Sequence, residues 1–336
     1  MIKREARGPF DQDQVLSGKL RLNDACAIGA VNRQMMRSDP TKTSGRRKIS
    51  STPGRLDCAT AFQRIALDCV ARVKAHRNGA CAGNSEAVHQ IRVAFTRLRA
   101  AVSFFAPMTA DAEWRHLKKE IVWLNASLGA VRDSDVIAEY RRSKRYRAWT
   151  QRLGGLKLDT DRARDHRALV RCLHSRRFRG LMKALSGWIE HGSWLRRWER
   201  NARGKPAEPL EAYCERELKR WHQRLIRKGR RLETLGTSRR HRLRIRTKRF
   251  RYMLEALTEI VPVYGRDEFH HLHKSARRLQ RLLGDLRDLK RLARLGTTAD
   301  DGGAGNHPLP GYRRQRKKLL SAATEAYRSL KQAGRY

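Results

Sequence analysis

The chain writes one helix twice. His89-Gln90-Ile91-Arg92-Val93-Ala94-Phe95-Thr96-Arg97-Leu98-Arg99 returns 152 positions later as His241-Arg242-Leu243-Arg244-Ile245-Arg246-Thr247-Lys248-Arg249-Phe250-Arg251. At about 100° per residue, His89, Arg92, Thr96, Arg99 and Ser103 fall in a sector about 80° wide. Ile91, Ala94, Phe95, Leu98, Ala101, Val102 and Phe105 fall within about 120° on the other side, the width of a stripe that faces a core. In the second copy His241, Arg244, Lys248, Arg251 and Glu255 take the polar sector, and Leu243, Phe250, Met253, Leu254 and Leu257 the apolar one. A single charged helix face is ordinarily just solvated. The same residues at the same angles in two copies favour two matched half-domains that present one basic surface from both sides.

A second pair of segments keeps the same order. Leu128-Gly129-Ala130-Val131-Arg132-Asp133 answers to Leu283-Gly284-Asp285-Leu286-Arg287-Asp288, 155 positions on. Solenoid repeats run to about 20–50 residues, so a period of this size indicates duplicated domains. Each half is expected to hold a helical hairpin. In it the glycine allows close helix approach, and Arg and Asp hydrogen-bond across the hairpin end, a structural rather than a catalytic role.

On these residues the chain resembles the conserved histidine α-helical domain (CHAD) family, from about Leu56 onward. The likeness extends to Ser175-Arg176-Arg177-Phe178-Arg179-Gly180-Leu181 and to Lys228-Gly229-Arg230-Arg231 ahead of the second histidine helix. The resemblance implies an all-α fold, two pseudo-symmetric four-helix bundles around a basic cavity that binds inorganic polyphosphate. It departs at Thr96, where the family usually has a third basic residue, and over the first 55 residues, which match nothing in it.

Charge points the same way. The 76 Lys and Arg against 33 Asp and Glu give a formal net charge of +43, which repels itself unless a polyanion neutralises it. From Arg239 to Arg251, eight of thirteen residues are Lys or Arg. Polyphosphate offers no base or sugar to read, so recognition must come from charge density, with Arg as a planar fork and Lys as a mobile point charge. Candidate ligand residues are His89, Arg92, Arg97 and Arg99 on the first histidine helix, and His241, Arg244, Lys248, Arg249 and Arg251 on the second. Lys274, Arg277, Arg278 and Arg281, opposite Leu272, Leu279, Leu283 and Leu286, join them. The first half offers only Lys118 and Lys119 before Val122, Trp123 and Ala126, so the second half is expected to carry more of the charge. A histidine among arginines tends to be neutral, and a bound polyanion favours its protonated form. The alternative for His89 and His241 is a cap-like role at the helix start.

Helical periodicity dominates, with helices expected over 57–77, 86–106, 111–128, 132–148, 161–190, 209–234, 239–261, 266–283, 286–295 and 310–332. Residues 1–54 read as a disordered basic tail that either adds affinity or is an overextended start; residues 55–203 and 204–336 form the two helical halves. Residues 296–310 read as a flexible connection. No run reaches the ~18 apolar residues of a membrane span, and the amino terminus lacks the apolar core of a secretory signal. Six cysteines without Cys-x-x-Cys spacing suit buried thiols of a reducing cytosol.

Enzymatic motifs are missing: no phosphate loop, no His-Glu-x-x-His, no Gly-x-Ser-x-Gly. Glu215, Glu217 and Lys219 fit the signature of the triphosphate-tunnel hydrolases, but in a helical pattern steps of two residues scatter them. His270, His271 and His273 do not make a metal site. The expectation is a cytoplasmic binding protein without cofactor or metal, with polyphosphate granules and their proteins as further associates. Nucleic acid is the alternative partner, although Trp188, Trp194, Trp198 and Trp221 sit among apolar neighbours that suit core or interface packing better than base stacking.

Overall fold

The computed structural model describes residues 56–142, 158–202, 208–261, 267–298 and 311–334, all within one compact unit, Arg55–Tyr336. The proposed basic tail, the end of the helix expected over 132–148 and the boundary between the proposed halves at 203/204 lie outside the described residues. Every regular element among the described residues is a helix: α1 (Cys58–Cys81), α2 (Ser85–Phe104), α3 (Ala106–Thr109), α4 (Ala112–Arg142), α5 (Leu158–His174), α6 (Arg176–His191), α7 (Ser193–Ala202), α8 (Leu210–Gly229), the 3-10 turn η1 (Leu232–Thr234), α9 (Thr237–Ile260), α10 (Asp267–Thr298) and α11 (Tyr312–Ala333).

Local chemistry sets the boundaries. Asp57 caps α1 by accepting the Thr60 amide at 2.7 Å, and Asn84 caps α2 by accepting the amides of Glu86 and Ala87. Gly83, at φ +82°, supplies the left-handed residue that turns α1 into α2. Gly79 lets the two helices meet, since a methyl there would sit 3.0 Å from the Ala87 side chain. The helix expected over 161–190 is broken at Ser175, whose hydroxyl accepts the Phe178 amide and starts α6.

Two expected breaks are absent. Leu128-Gly129 lies inside the continuous α4, and Leu283-Gly284 inside the continuous α10, so neither forms a hairpin end. An interior glycine costs a helix only about 1 kcal/mol relative to alanine, which packing around it can offset. Helix α10 also runs through Gly296 to Thr298; the rest of the proposed connection lies outside the described residues.

α1, α2, α4 and α5 pack in a ring, each against the next, and α8, α9, α10 and α11 do the same. The two histidine helices, α2 and α9, join these rings face to face, and α6 covers α1, α4 and α5. The core is one apolar cluster drawn from both rings. Tyr213 of α8 stacks on Phe105 with centroids 5.5 Å apart and donates its hydroxyl to the Phe104 carbonyl at 2.9 Å. Trp188 and Trp194 are buried against Phe62, and Trp198 and Trp221 pack on the same core. These rings offer no exposed platform for bases. No helix among the described residues is long and apolar enough to cross a membrane.

Candidate anion-binding site

The two repeated motifs meet through their arginines and glycines. Arg92 lies over Gly129: a methyl there would stand 3.2 Å from the Arg92 Nη1, which approaches the Asn125 carbonyl at 3.5 Å. Arg244 lies over Gly284 in the same way, with 3.5 Å between its Nε and a methyl placed there. The histidine motif and the Leu-Gly motif are therefore two halves of one device, in which a bare backbone patch makes room for a guanidinium. Neither histidine caps its helix. Asn84 caps α2, His89 lies a turn inside it, and His241 is exposed on α9.

Where α2 and α9 face each other, cations converge. Burial, and after it the charges of Arg244, Arg92, Arg251 and Arg99, push the Lys248 ammonium down to about 7. Burial also lowers Arg99, with Arg249 and Arg92 adding to it, and the buried Arg99 Nε has no hydrogen-bond partner. Arg92 is lowered by burial and then by Arg132 and Arg287, against the opposing pull of Asp133. His89 falls below the usual imidazole value through burial and Arg132, His241 through burial, Arg287 and Arg244. Each shift has the sign of a site short of negative charge. Some compensation exists at one end: Arg251 donates to Gln280 at 2.9 Å and pairs with Glu255, which also takes His273 at 2.9 Å. Arg251 and Lys248 both lie over the Tyr252 ring, at 4.4 and 5.4 Å.

The remaining candidates divide. Arg97 pairs with Glu259 at 3.2 Å with its side chain only 11% exposed, so it ties α2 to α9. Arg249 borders a 220 Å³ pocket with Arg246, Arg224 and Trp221, and bears on Arg99. Arg278 pairs with Glu325 of α11. Lys274, Arg277 and Arg281 are exposed on α10; by helical angle Arg277 shares the face of Gln280 and Gly284, with Arg281 at its margin. Lys118 and Lys119 are exposed on α4, Lys118 in angular line with Gly129 and one end of that face.

Arg132 and Arg287, read from the sequence as structural, bear directly on His89, His241 and Arg92. The signal was present in their repetition at one spacing. The flanking family segments are structural instead. Arg177 grips Glu120 at 2.7 and 2.9 Å and lies 4.0 Å over Trp123, clasping α6 to α4. Gly229 lies against the Tyr327 ring, where a methyl would come within 2.4 Å, and Arg231 turns the chain at φ +54°. His270 and His271 are exposed while His273 serves Glu255.

No curated protein sequence matches the chain. The structure is similar to the crystal structure of the CHAD domain from the plant Ricinus communis, with a TM-score of 0.61 and 22% identity over 88% of this chain and 97% of that one. It is also similar to PptA from Streptomyces chartreusis, with a TM-score of 0.51 and 15% identity over 83% of this chain and 98% of that one. At such identities these likenesses speak to fold alone. The CHAD domain family profile matches residues 64–297, which include both histidine helices and both Leu-Gly motifs, and the chain belongs to the CHAD family.

Proposed function

We propose that this chain binds inorganic polyphosphate in a basic cavity where α2 and α9 meet, as a binding protein without turnover that associates with polyphosphate granules. The observation that carries this reading is the crowding of Arg92, Arg99, Arg244 and Arg251 around Lys248. A thin chain of phosphates, each bearing about one charge, can thread between two packed helices and supply acceptors to every fork. A charge-assisted hydrogen bond contributes roughly 1.5–3 kcal/mol, so three or four of them give tight binding even after desolvation. Family membership supports the same ligand.

Titration with long-chain polyphosphate and with duplex DNA of equal charge, at several salt concentrations, tests it. Tighter binding of polyphosphate at every salt concentration is expected. Equal affinities and equal salt slopes would place both ligands on the outer charge alone, as generic counterion release predicts.

Turnover is tested with polyphosphate or triphosphate and Mg²⁺, from which no phosphate should be released. On α8 Glu215 is exposed and pairs with Lys219, whereas Glu217 is buried and pairs with Arg220. They do not share the face a hydrolase would need. Release that disappears in Glu215→Ala and Glu217→Ala would reverse the proposal.

A further inference from the structure

Among the described residues, the second ring is open at one end. Between α9, α10 and α11 lies a cavity of about 670 Å³, within the roughly 300–1,000 Å³ of small-molecule sites. Arg240, His241, Arg287, Arg313, Arg316 and Lys317 line it, and among the described residues no carboxylate does. Burial and then the nearby Arg316 lower Arg240, the sign of cations gathered without an anion. Lys290 and the Thr237 hydroxyl complete the polar lining, and Leu283, Leu286 and Leu320 form an apolar part with the Tyr312 ring beside them.

The matching end of the first ring has no such opening among the described residues. Val88 stands at the register position of Arg240 and is buried. Asp135 stands at that of Lys290, is buried, and pairs with Arg162 at 3.0 Å. His166 meets the Ala80 carbonyl at 3.2 Å across the α1–α5 contact. Among the described residues the cleft is thus a feature of the second half, and it adjoins the α2–α9 seam through His241 and Arg287.

Bare polyphosphate makes no use of an apolar floor. A ligand that fills this cleft combines several phosphates with a flat or apolar body, so that guanidinium forks take the oxyanions while the body leaves water for the leucines and the tyrosine ring. We propose that the α9–α10–α11 cleft binds nucleoside polyphosphates, sharing His241 and Arg287 with the edge of the α2–α9 site. Its own residues, Arg313, Arg316, Lys317 and Tyr312, make it testable apart from the polyphosphate reading.

ATP and tripolyphosphate, both without Mg²⁺, distinguish the alternatives by calorimetry on the full chain. Tripolyphosphate carries at least as much charge on its three phosphates, so charge alone favours it or leaves the two equal. ATP is expected to bind at least tenfold tighter. Arg316→Glu should weaken both ligands, and Tyr312→Ala should weaken ATP about tenfold while sparing tripolyphosphate. Long-chain polyphosphate provides the separate control: Arg92→Glu with Arg99→Glu should weaken it about tenfold to thirtyfold and leave ATP unchanged. Tripolyphosphate binding as tightly as ATP, no ATP binding, or ATP binding indifferent to Arg316→Glu would overturn the site. ATP binding with no polyphosphate binding would instead sink the proposed function and leave this site standing.

Discussion

The two rings place different chemistry on matched positions. Thr96 and Lys248 share one register position: Thr96 turns its hydroxyl back to the Arg92 carbonyl at 2.8 Å, while Lys248 brings an ammonium among four arginines. At the ring ends, the Asp135–Arg162 pair and Val88 stand at the register positions of Lys290 and Arg240. At these positions the first half places a hydroxyl, an apolar side chain and a paired carboxylate where the second places cations. A helix and its partner need only the apolar stripe and the glycine patch to pack, so the polar sector is free to diverge. The second half carries the electrostatic cost of that divergence as a more strongly cationic surface.

The largest expected effect comes from reversing charge in each half. Arg244→Glu with Lys248→Glu should weaken polyphosphate binding roughly a hundredfold or more, since each lost charge-assisted bond is worth about 1.5–3 kcal/mol. Arg92→Glu with Arg99→Glu should cost less, about tenfold to thirtyfold, because no ammonium is lost with them. Arg251 is left intact because reversing it would set two carboxylates against each other at Glu255. Binding isotherms at one salt concentration, with melting curves to confirm folding, give the comparison. Equal losses would mean that the two halves contribute alike.

Next in size is a pH effect located at Lys248. Its folded value of about 7 lies below the ordinary 10.5, and a bound polyanion raises it again. Binding then takes up a proton, is strongest below pH 7, and weakens as pH rises above the free-state value, by at most about tenfold per pH unit. The groups that face Lys248 are Arg244, Arg92, Arg251 and Arg99, with the Tyr252 ring beneath, so no carboxylate on these helices reverses the sign. In the absence of ligand, the same depression makes the fold gain stability as pH rises from about 7 toward 10.5, because the unfolded chain holds the proton longer. Lys248→Thr copies the first half and should flatten both profiles. Calorimetry in buffers of different ionisation enthalpy counts the proton; no uptake at pH 8 in the wild type would remove Lys248 from the site.

A smaller effect separates the ring ends. Asp135→Asn leaves Arg162 facing a neutral amide and should cost about 1–3 kcal/mol, seen as a fall of several degrees in melting temperature. Lys290→Asn removes only a bond to the exposed Thr237 hydroxyl and should stay within about 0.5 kcal/mol of wild type. Similar melting losses in both would show that the second end is held by its polar groups as tightly as the first.

The sequence reveals the histidine helices closely: 86–106 and 239–261 were expected, against Ser85–Phe104 and Thr237–Ile260. Their amphipathic stripes are long and regular, and periodicity reads such stripes well. Pairing across the chain is another matter. Arg97 has the spacing of a ligand residue, yet Glu259, 162 positions away, draws it into the α2–α9 contact. Nothing in a local pattern reports such a partner. Arg313, Arg316 and Lys317 are hidden from a local pattern for the same reason, since only the packing of α11 on α9 and α10 brings them to one cleft with Arg240 and Arg287. Glycine was the other source of error, read at Gly129 and Gly284 as an ending when its function there is to admit an arginine.

Those two glycines give the finest test of the comparison. Replacing an interior helical glycine by alanine gains up to about 1 kcal/mol when there is room, because the unfolded chain loses freedom and the helix gains a good former. At Gly284 the new methyl would stand 3.5 Å from Arg244 Nε, an ordinary contact, so Gly284→Ala should raise the melting temperature by about 1–3 °C and leave polyphosphate affinity nearly unchanged. At Gly129 it would stand 3.2 Å from Arg92 Nη1, and the guanidinium must move by a few tenths of an ångström. Gly129→Ala should therefore show no gain in melting and a loss of affinity of about threefold, as Arg92 shifts off its place beside Asn125. Scanning calorimetry and a single binding curve suffice for each variant. Equal gains at both positions would mean that Arg92 yields without consequence, and that the tighter fit in the first half is not what holds its arginine in place.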